Sequence, residues 1–129
     1  MHAPFRIATE KTLFAMPETG IGYFPDVGVT RCLARLDGKV GQYLGMTGAR
    51  ISGPEAYLIG VASHFIPSSN IQTVVDRLAQ YPQGALTTSG GSDAARKVSD
   101  LLEEYTTDPF AEGSLPDKEA DKLREPPFL

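Results

Sequence analysis

Met16-Pro17-Glu18-Thr19-Gly20-Ile21-Gly22-Tyr23-Phe24-Pro25-Asp26-Val27-Gly28 is the stretch around which the chain is organised. It follows an apolar run that reads as a strand, Lys11 to Met16, and precedes a run that reads as a helix, Val27 to Leu36. Pro17 and Pro25 fix φ and remove backbone donors, whereas Gly20 and Gly22 admit angles that other residues avoid. A proline-stiffened loop at a strand's end is a common mount for chemistry, and this one carries two carboxylates, Glu18 and Asp26. The same composition also suits an ordinary strand-to-helix connection.

Glu18 can serve as base, acid or nucleophile once desolvation raises its carboxyl pKa. Taken by itself, a solvated loop carboxylate is the plainer reading. Asp26 either partners a substrate hydroxyl or is a first-turn acid favoured by the helix dipole. Cys32 reads as a helix-face core cysteine rather than a nucleophile. His2 and His64 have no Cys, Asp or second His at ligand spacing, which argues against a metal site. Gly90-Gly91 lacks the strand-loop-helix setting of a phosphate-binding motif.

The Met16-Pro17-Glu18 and Phe24-Pro25-Asp26-Val27-Gly28 elements resemble the 3-hydroxyisobutyryl-CoA hydrolase branch of the crotonase (enoyl-CoA hydratase/isomerase) superfamily. The likeness continues through Leu36-Asp37-Gly38-Lys39, Leu44 to Ile51 and Gly60 to Phe65, and fades afterwards. Phe-Pro-Asp, where other branches carry a Pro-Gly pair, points to the hydrolases. The resemblance implies an α/β chain of the crotonase spiral, comprising part of its core and the start of its helical C-terminal region. It implies hydrolysis of the thioester of 3-hydroxyisobutyryl-CoA, a mitochondrial step of valine breakdown. Glu18 would assist or perform the attack, and both Glu18 and Asp26 would be catalytic and substrate-binding. No metal or redox cofactor is implied; CoA belongs to the substrate.

In that family a glycine-rich loop preceding the match to His2 supplies part of an oxyanion hole, so the resemblance leads us to expect a fragment. Partner strands for both N-terminal strands are then expected outside the chain, which invites self-association. Val29-Thr30-Arg31 departs from the small residues usual after Val-Gly, and a bulky Val29 is expected to crowd the pocket. Two other functions fit the resemblance: a non-catalytic component of the mitochondrial ribosome, and an enoyl-CoA hydratase or isomerase. Asp26, where those enzymes carry small residues, speaks against the last.

The totals bound these readings. A chain of 129 residues with 41% hydrophobic content suits one small globular domain. A net charge of −4 argues against a nucleic-acid partner. Cys32, the single cysteine, cannot form an internal disulfide. No apolar run reaches membrane-spanning length, and no targeting pattern precedes Phe5.

Along the chain, residues 1–82 read as crotonase-like core. Phe5 to Thr9 alternates as a strand with Phe5, Ile7 and Thr9 on one face, Glu10-Lys11 turns, and Leu13 to Met16 reads as a buried second strand. In the following helix Val27, Leu33 and Leu36 or Ala34 should face inward. Val40, Tyr43 and Leu44 mark a short helix ended by Thr47-Gly48. Ser52, Pro54 and Glu55 form a helix start with a capping box, and Gly60 ends that helix. Val61 to Ile66 reads as an exposed strand with His64 near the surface. Pro67 to Asn70 should cap a helix carrying Ile71, Val74, Val75 and Leu78. Residues 83–129 read as a Gly/Ser/Thr-rich loop over Gly84 to Asp93, an amphipathic helix over Ala94 to Tyr105, and a mobile charged tail from Thr106.

Overall fold

The computed structural model describes residues 1–81 and 91–111. In chain order the elements are β1 (Ile7–Ala8), β2 (Leu13–Phe14), a 3₁₀ turn (Pro17–Ile21), α1 (Val29–Leu33), α2 (Val40–Thr47), β3 (Ile51–Ser52), α3 (Gly53–Leu58), β4 (His64–Phe65), α4 (Ser68–Ala79) and α5 (Gly91–Tyr105). The rest of the loop expected before α5, and the tail beyond Ala111, lie outside the described residues; the first residues of the tail expected to be mobile are tied down, the Thr107 amide donating to the Phe65 carbonyl at 3.0 Å. Gly91 to Asp93, read from sequence as loop, form the first residues of α5.

Both N-terminal strands find partners within the chain, against expectation. β1 pairs parallel with β4, Ile7 opposite His64 and Ala8 opposite Phe65. β2 pairs antiparallel with β3, Leu13 opposite Ser52 and Phe14 opposite Ile51. A parallel pair needs a long crossover. Here the segment from β2 to α3 supplies it, which is why the partner lies so far along the sequence.

Burial follows from that pairing and overturns two expectations, that of a buried β2 and that of an exposed strand at His64. Ala8 is the buried residue of β1, while Ile7 is 39% exposed. Leu13 of β2 is 64% exposed, because its face receives no covering element among the described residues. His64, Phe65 and Ile66 are buried rather than exposed. β4 and the residue after it join two clusters: Phe65 packs with Ala8, Ala56, Val61 and Ala62, and Ile66 packs with Val74 and Leu102. Leu102 therefore seats α5 on the same core as α4, with Val98 and Tyr105 against it.

A third cluster, Met16, Val29, Leu33 and Leu44, fastens α1 and α2 under the 3₁₀ turn. Met1, Phe14, Leu36, Ile51 and Ile59 pack against both this cluster and that of Phe65. Gly41 permits the close crossing of α2 over α1. A Cβ there would stand 1.8 Å from the Leu33 carbonyl oxygen, so no other residue fits. α1 is shorter than the pattern suggested; Val27 is 76% exposed and Ala34 is also exposed.

The caps account for the helix starts. The Ser52 amide donates to Glu55 Oε2 at 2.6 Å and the Glu55 amide to Ser52 Oγ at 3.4 Å, the capping box read from sequence. No side chain of Pro67 to Asn70 caps α4. Instead the Glu10 carboxylate, from the turn after β1, accepts from the Ser68 amide at 2.9 Å and from the Ser68 hydroxyl. Burial would raise the Glu10 pKa, but these bonds from Ser68 prevail and hold it below the usual value.

Candidate functional site: the turn from Pro17 to Gly28

Pro17 opens the 3₁₀ turn, where a missing N–H is harmless, and Gly22 closes it at φ 73°. The Tyr23 amide donates to the Glu18 carbonyl at 3.0 Å, so the residue that carries the carboxylate is tied to the far end of the turn. Behind it Met16 is buried, and the end of α2 lies so close that a Cβ on Gly48 would sit 3.3 Å from the Met16 carbonyl oxygen. Glu18 is half-buried. Its Oε2 is shielded from solvent and has no hydrogen-bond partner among the described residues.

Asp26 lies in a different local setting. Pro25 beside it is buried, whereas the Asp26 side chain is exposed and makes no hydrogen bond among the described residues. Its carbonyl accepts from the Val29 amide at 2.9 Å, and the Gly28 carbonyl accepts from the Arg31 amide at 3.2 Å. Between them Val27 has φ 46°, the one non-glycine residue at positive φ among those described, and Gly28 follows at φ 73°. His2 Nε2 lies 2.7 Å from the Val27 carbonyl oxygen. The two carboxylates are not bridged to one another by any hydrogen bond or ion pair among the described residues.

Beside both turns runs a groove of about 480 Å³. Its walls are chiefly apolar: Tyr23, Phe24 and Pro25 on one side, Leu33 and Met46 on the other. Tyr23 and Phe24 stack with ring centroids 4.5 Å apart. Glu18 and Asp26 do not line this groove; their neighbours Thr19 and Pro25 do. Val29, expected to crowd the pocket, is 4% exposed and turned into the core of Met16, Leu33 and Leu44, so it takes no space from the groove.

A second polar cluster joins β1 to β4. The Ser63 hydroxyl accepts from the Arg6 amide at 2.7 Å and lies 2.7 Å from His64 Nδ1. Burial pushes the His64 pKa down; Glu103 raises it and Arg6 lowers it further. The Arg6 guanidinium donates to the carbonyls of Val61 at 2.7 Å and Ala3 at 2.8 Å. The bonds of Arg6 to Ser63 and Val61 tie the segment entering β1 to the segment entering β4, whereas the bond to Ala3 is local and the Ser63–His64 contact joins neighbouring side chains; this is a structural role that the sequence did not disclose. Among the described residues no three His, Cys, Asp or Glu side chains gather as a metal site would require.

The mS47 small ribosomal subunit protein of Neurospora crassa is 45% identical over 108 residues, covering 83% of this chain and 21% of that protein. The mitochondrial 3-hydroxyisobutyryl-CoA hydrolase of Danio rerio is 45% identical over 105 residues, 81% of this chain and 25% of that protein. This chain thus spans between a fifth and a quarter of the length of these relatives. The crystal structure of an enoyl-CoA hydratase from Rhodobacter sphaeroides 2.4.1 superposes with a TM-score of 0.58 at 31% identity, covering 82% of this chain and 36% of that one. The mixed helix and strand architecture is accordingly part of a crotonase-like fold. The match to the enoyl-CoA hydratase/isomerase family runs over residues 1–125, and the chain belongs to that family.

Proposed function

We propose that this chain serves in hydrolysis of the thioester of 3-hydroxyisobutyryl-CoA in the mitochondrion, with Glu18 as the reacting carboxylate and Asp26 as partner of the substrate hydroxyl. The observation that carries this reading is Glu18 Oε2, shielded from solvent and unpaired on a proline-started turn. A shielded carboxylate oxygen without a partner is costly in a purely structural setting. It is useful where an electrophilic carbon is to be met. The relatives named as hydrolases support this branch of the family over hydration, and the apolar groove beside Thr19 and Pro25 offers a wall for an acyl-CoA.

Two routes suit the carboxylate. In one, Glu18 attacks the thioester carbon, a C–O bond forms, the C–S bond breaks and CoA leaves as thiolate; water then cleaves the resulting anhydride. In the other, Glu18 takes a proton from a water that attacks directly. Both release CoA and the hydroxy acid, and both develop negative charge on the carbonyl oxygen. The test is to graft this chain in place of the matching segment of the Danio rerio hydrolase. Glu18→Gln keeps the shape and removes both capacities, so hydrolysis should fall about 10²–10⁴-fold. Unchanged turnover would remove Glu18 from the chemistry.

A second reading rests on the similarity to mS47. Under it the chain assembles with the mitochondrial small ribosomal subunit and catalyses nothing. Co-sedimentation with that subunit, together with an inactive graft, would select it.

A further inference from the structure

We propose that His2 is the positioning residue for the Asp26 carboxylate, acting through the backbone of the turn that presents it. This rests on the role given to Asp26 above. The argument begins with Val27. A β-branched residue at positive φ is disfavoured by its Cβ, and adjacent positive φ at Val27 and Gly28 makes a sharp reversal directly after Asp26. Strain of this kind persists only where the surroundings over-determine it. Val27 itself gains nothing from burial, since its side chain is 76% exposed.

The restraint comes from His2. Its Nε2 donates to the Val27 carbonyl at 2.7 Å, across twenty-five residues of chain. The ring also lies over Gly28, where a Cβ would meet Cε1 at 3.4 Å. The imidazole therefore holds the one carbonyl whose direction the Val27 backbone angles set, and it closes the far side of the turn. With that peptide fixed, the Asp26 carbonyl meets the Val29 amide and α1 starts in register. The direction from which the Asp26 side chain leaves the backbone is thereby set, although His2 does not touch the carboxylate.

Amide exchange on the full chain tests this without relying on turnover. In His2→Ala the Val29 and Arg31 amides should exchange about three- to tenfold faster, as expected for loss of one net hydrogen bond. His2→Gln places an amide N–H at similar reach and should restore most of the protection. His2→Ala combined with Val27→Gly should lose less than His2→Ala alone, because glycine needs no restraint at positive φ. Addition of 3-hydroxyisobutyryl-CoA should protect Val29 in the wild type more than isobutyryl-CoA does, and that difference should vanish in His2→Ala and return in His2→Gln. Unchanged exchange in ligand-free His2→Ala, or a His2→Gln variant no better than His2→Ala, overturns the proposal. So does a hydroxyl-dependent protection that survives His2→Ala. If the wild type responds to neither thioester, the substrate side of this proposal fails, while the hydrolase reading is decided by the graft; the ligand-free arm would still show whether His2 holds the turn.

Discussion

Among single residues, His64 shows how burial converts an ordinary side chain into a pH-dependent one. It is 8% exposed, and its folded pKa lies below the ordinary histidine value of 6.5 because the imidazolium is poorly solvated there. The neutral ring is thus favoured by folding. Above 6.5 both folded and unfolded states hold it neutral and nothing is lost. As pH falls through 6.5 toward the lower folded value, the unfolded state takes up more protons and stability declines. Urea midpoints should therefore drop between pH 7 and 5, and His64→Gln should flatten that part of the curve. An equal slope in the variant would assign the loss to other groups. Glu18 and Asp26 were legible from sequence as types and as neighbours of prolines. The solvent-shielded Oε2 of Glu18 was not, because shielding depends on which segments the fold brings around it.

At the scale of elements, helix starts were readable only where the cap is local. Ser52 and Glu55 stand three residues apart and cap α3 as their spacing implies. The start of α4 depends on Glu10, fifty-eight residues earlier in the chain, which no pattern around Ser68 discloses. Glu10→Ala should cost about 0.5–2 kcal/mol in chemical denaturation, the range for a lost helix cap. The loss should shrink at acid pH: a carboxyl held below its ordinary pKa contributes above 4.5 and ceases to contribute as pH falls through its folded value. A variant as stable as the wild type at neutral pH would show that the bonds to Ser68 merely replace bonds to water. The same distinction between local and distant explains α1. Asp26 and Pro25 look like a first turn, yet the helix begins only at Val29, after the backbone reversal held by His2.

For the whole molecule, the surface around the groove governs behaviour in solution. Tyr23, Phe24 and Met46 are 51%, 62% and 76% exposed along its walls, and Ile21 nearby is 83% exposed. Apolar surface gathered in one place favours association. Sedimentation coefficients of the isolated chain should rise with concentration, and Phe24→Ser with Met46→Ser should reduce the rise. A monomer at every concentration would mean that this surface is too dispersed to associate. The strand edges contribute less than expected, since β1 and β2 each have a partner inside the chain.

Sequence alone determined what short-range chemistry controls: the family motifs, the capping box, the ends of α2, the stripe of α4 except Val75, which is 50% exposed, and the placement of two carboxylates on a proline-bounded turn. It put Phe5 and Ile7 on one face of a strand without saying which face is covered, and it put His64 near the surface where the structure buries it, because alternation identifies two faces but not the one to be covered. That choice was made by the parallel pairing of β1 with β4 and by the seating of α4 and α5 upon Ile66. Tertiary structure likewise turned Val29 into the core, left Asp26 in solvent and brought His2 to Val27. Each of these outcomes depends on segments far apart in the chain, and contacts of that kind are decided by packing rather than by any local preference.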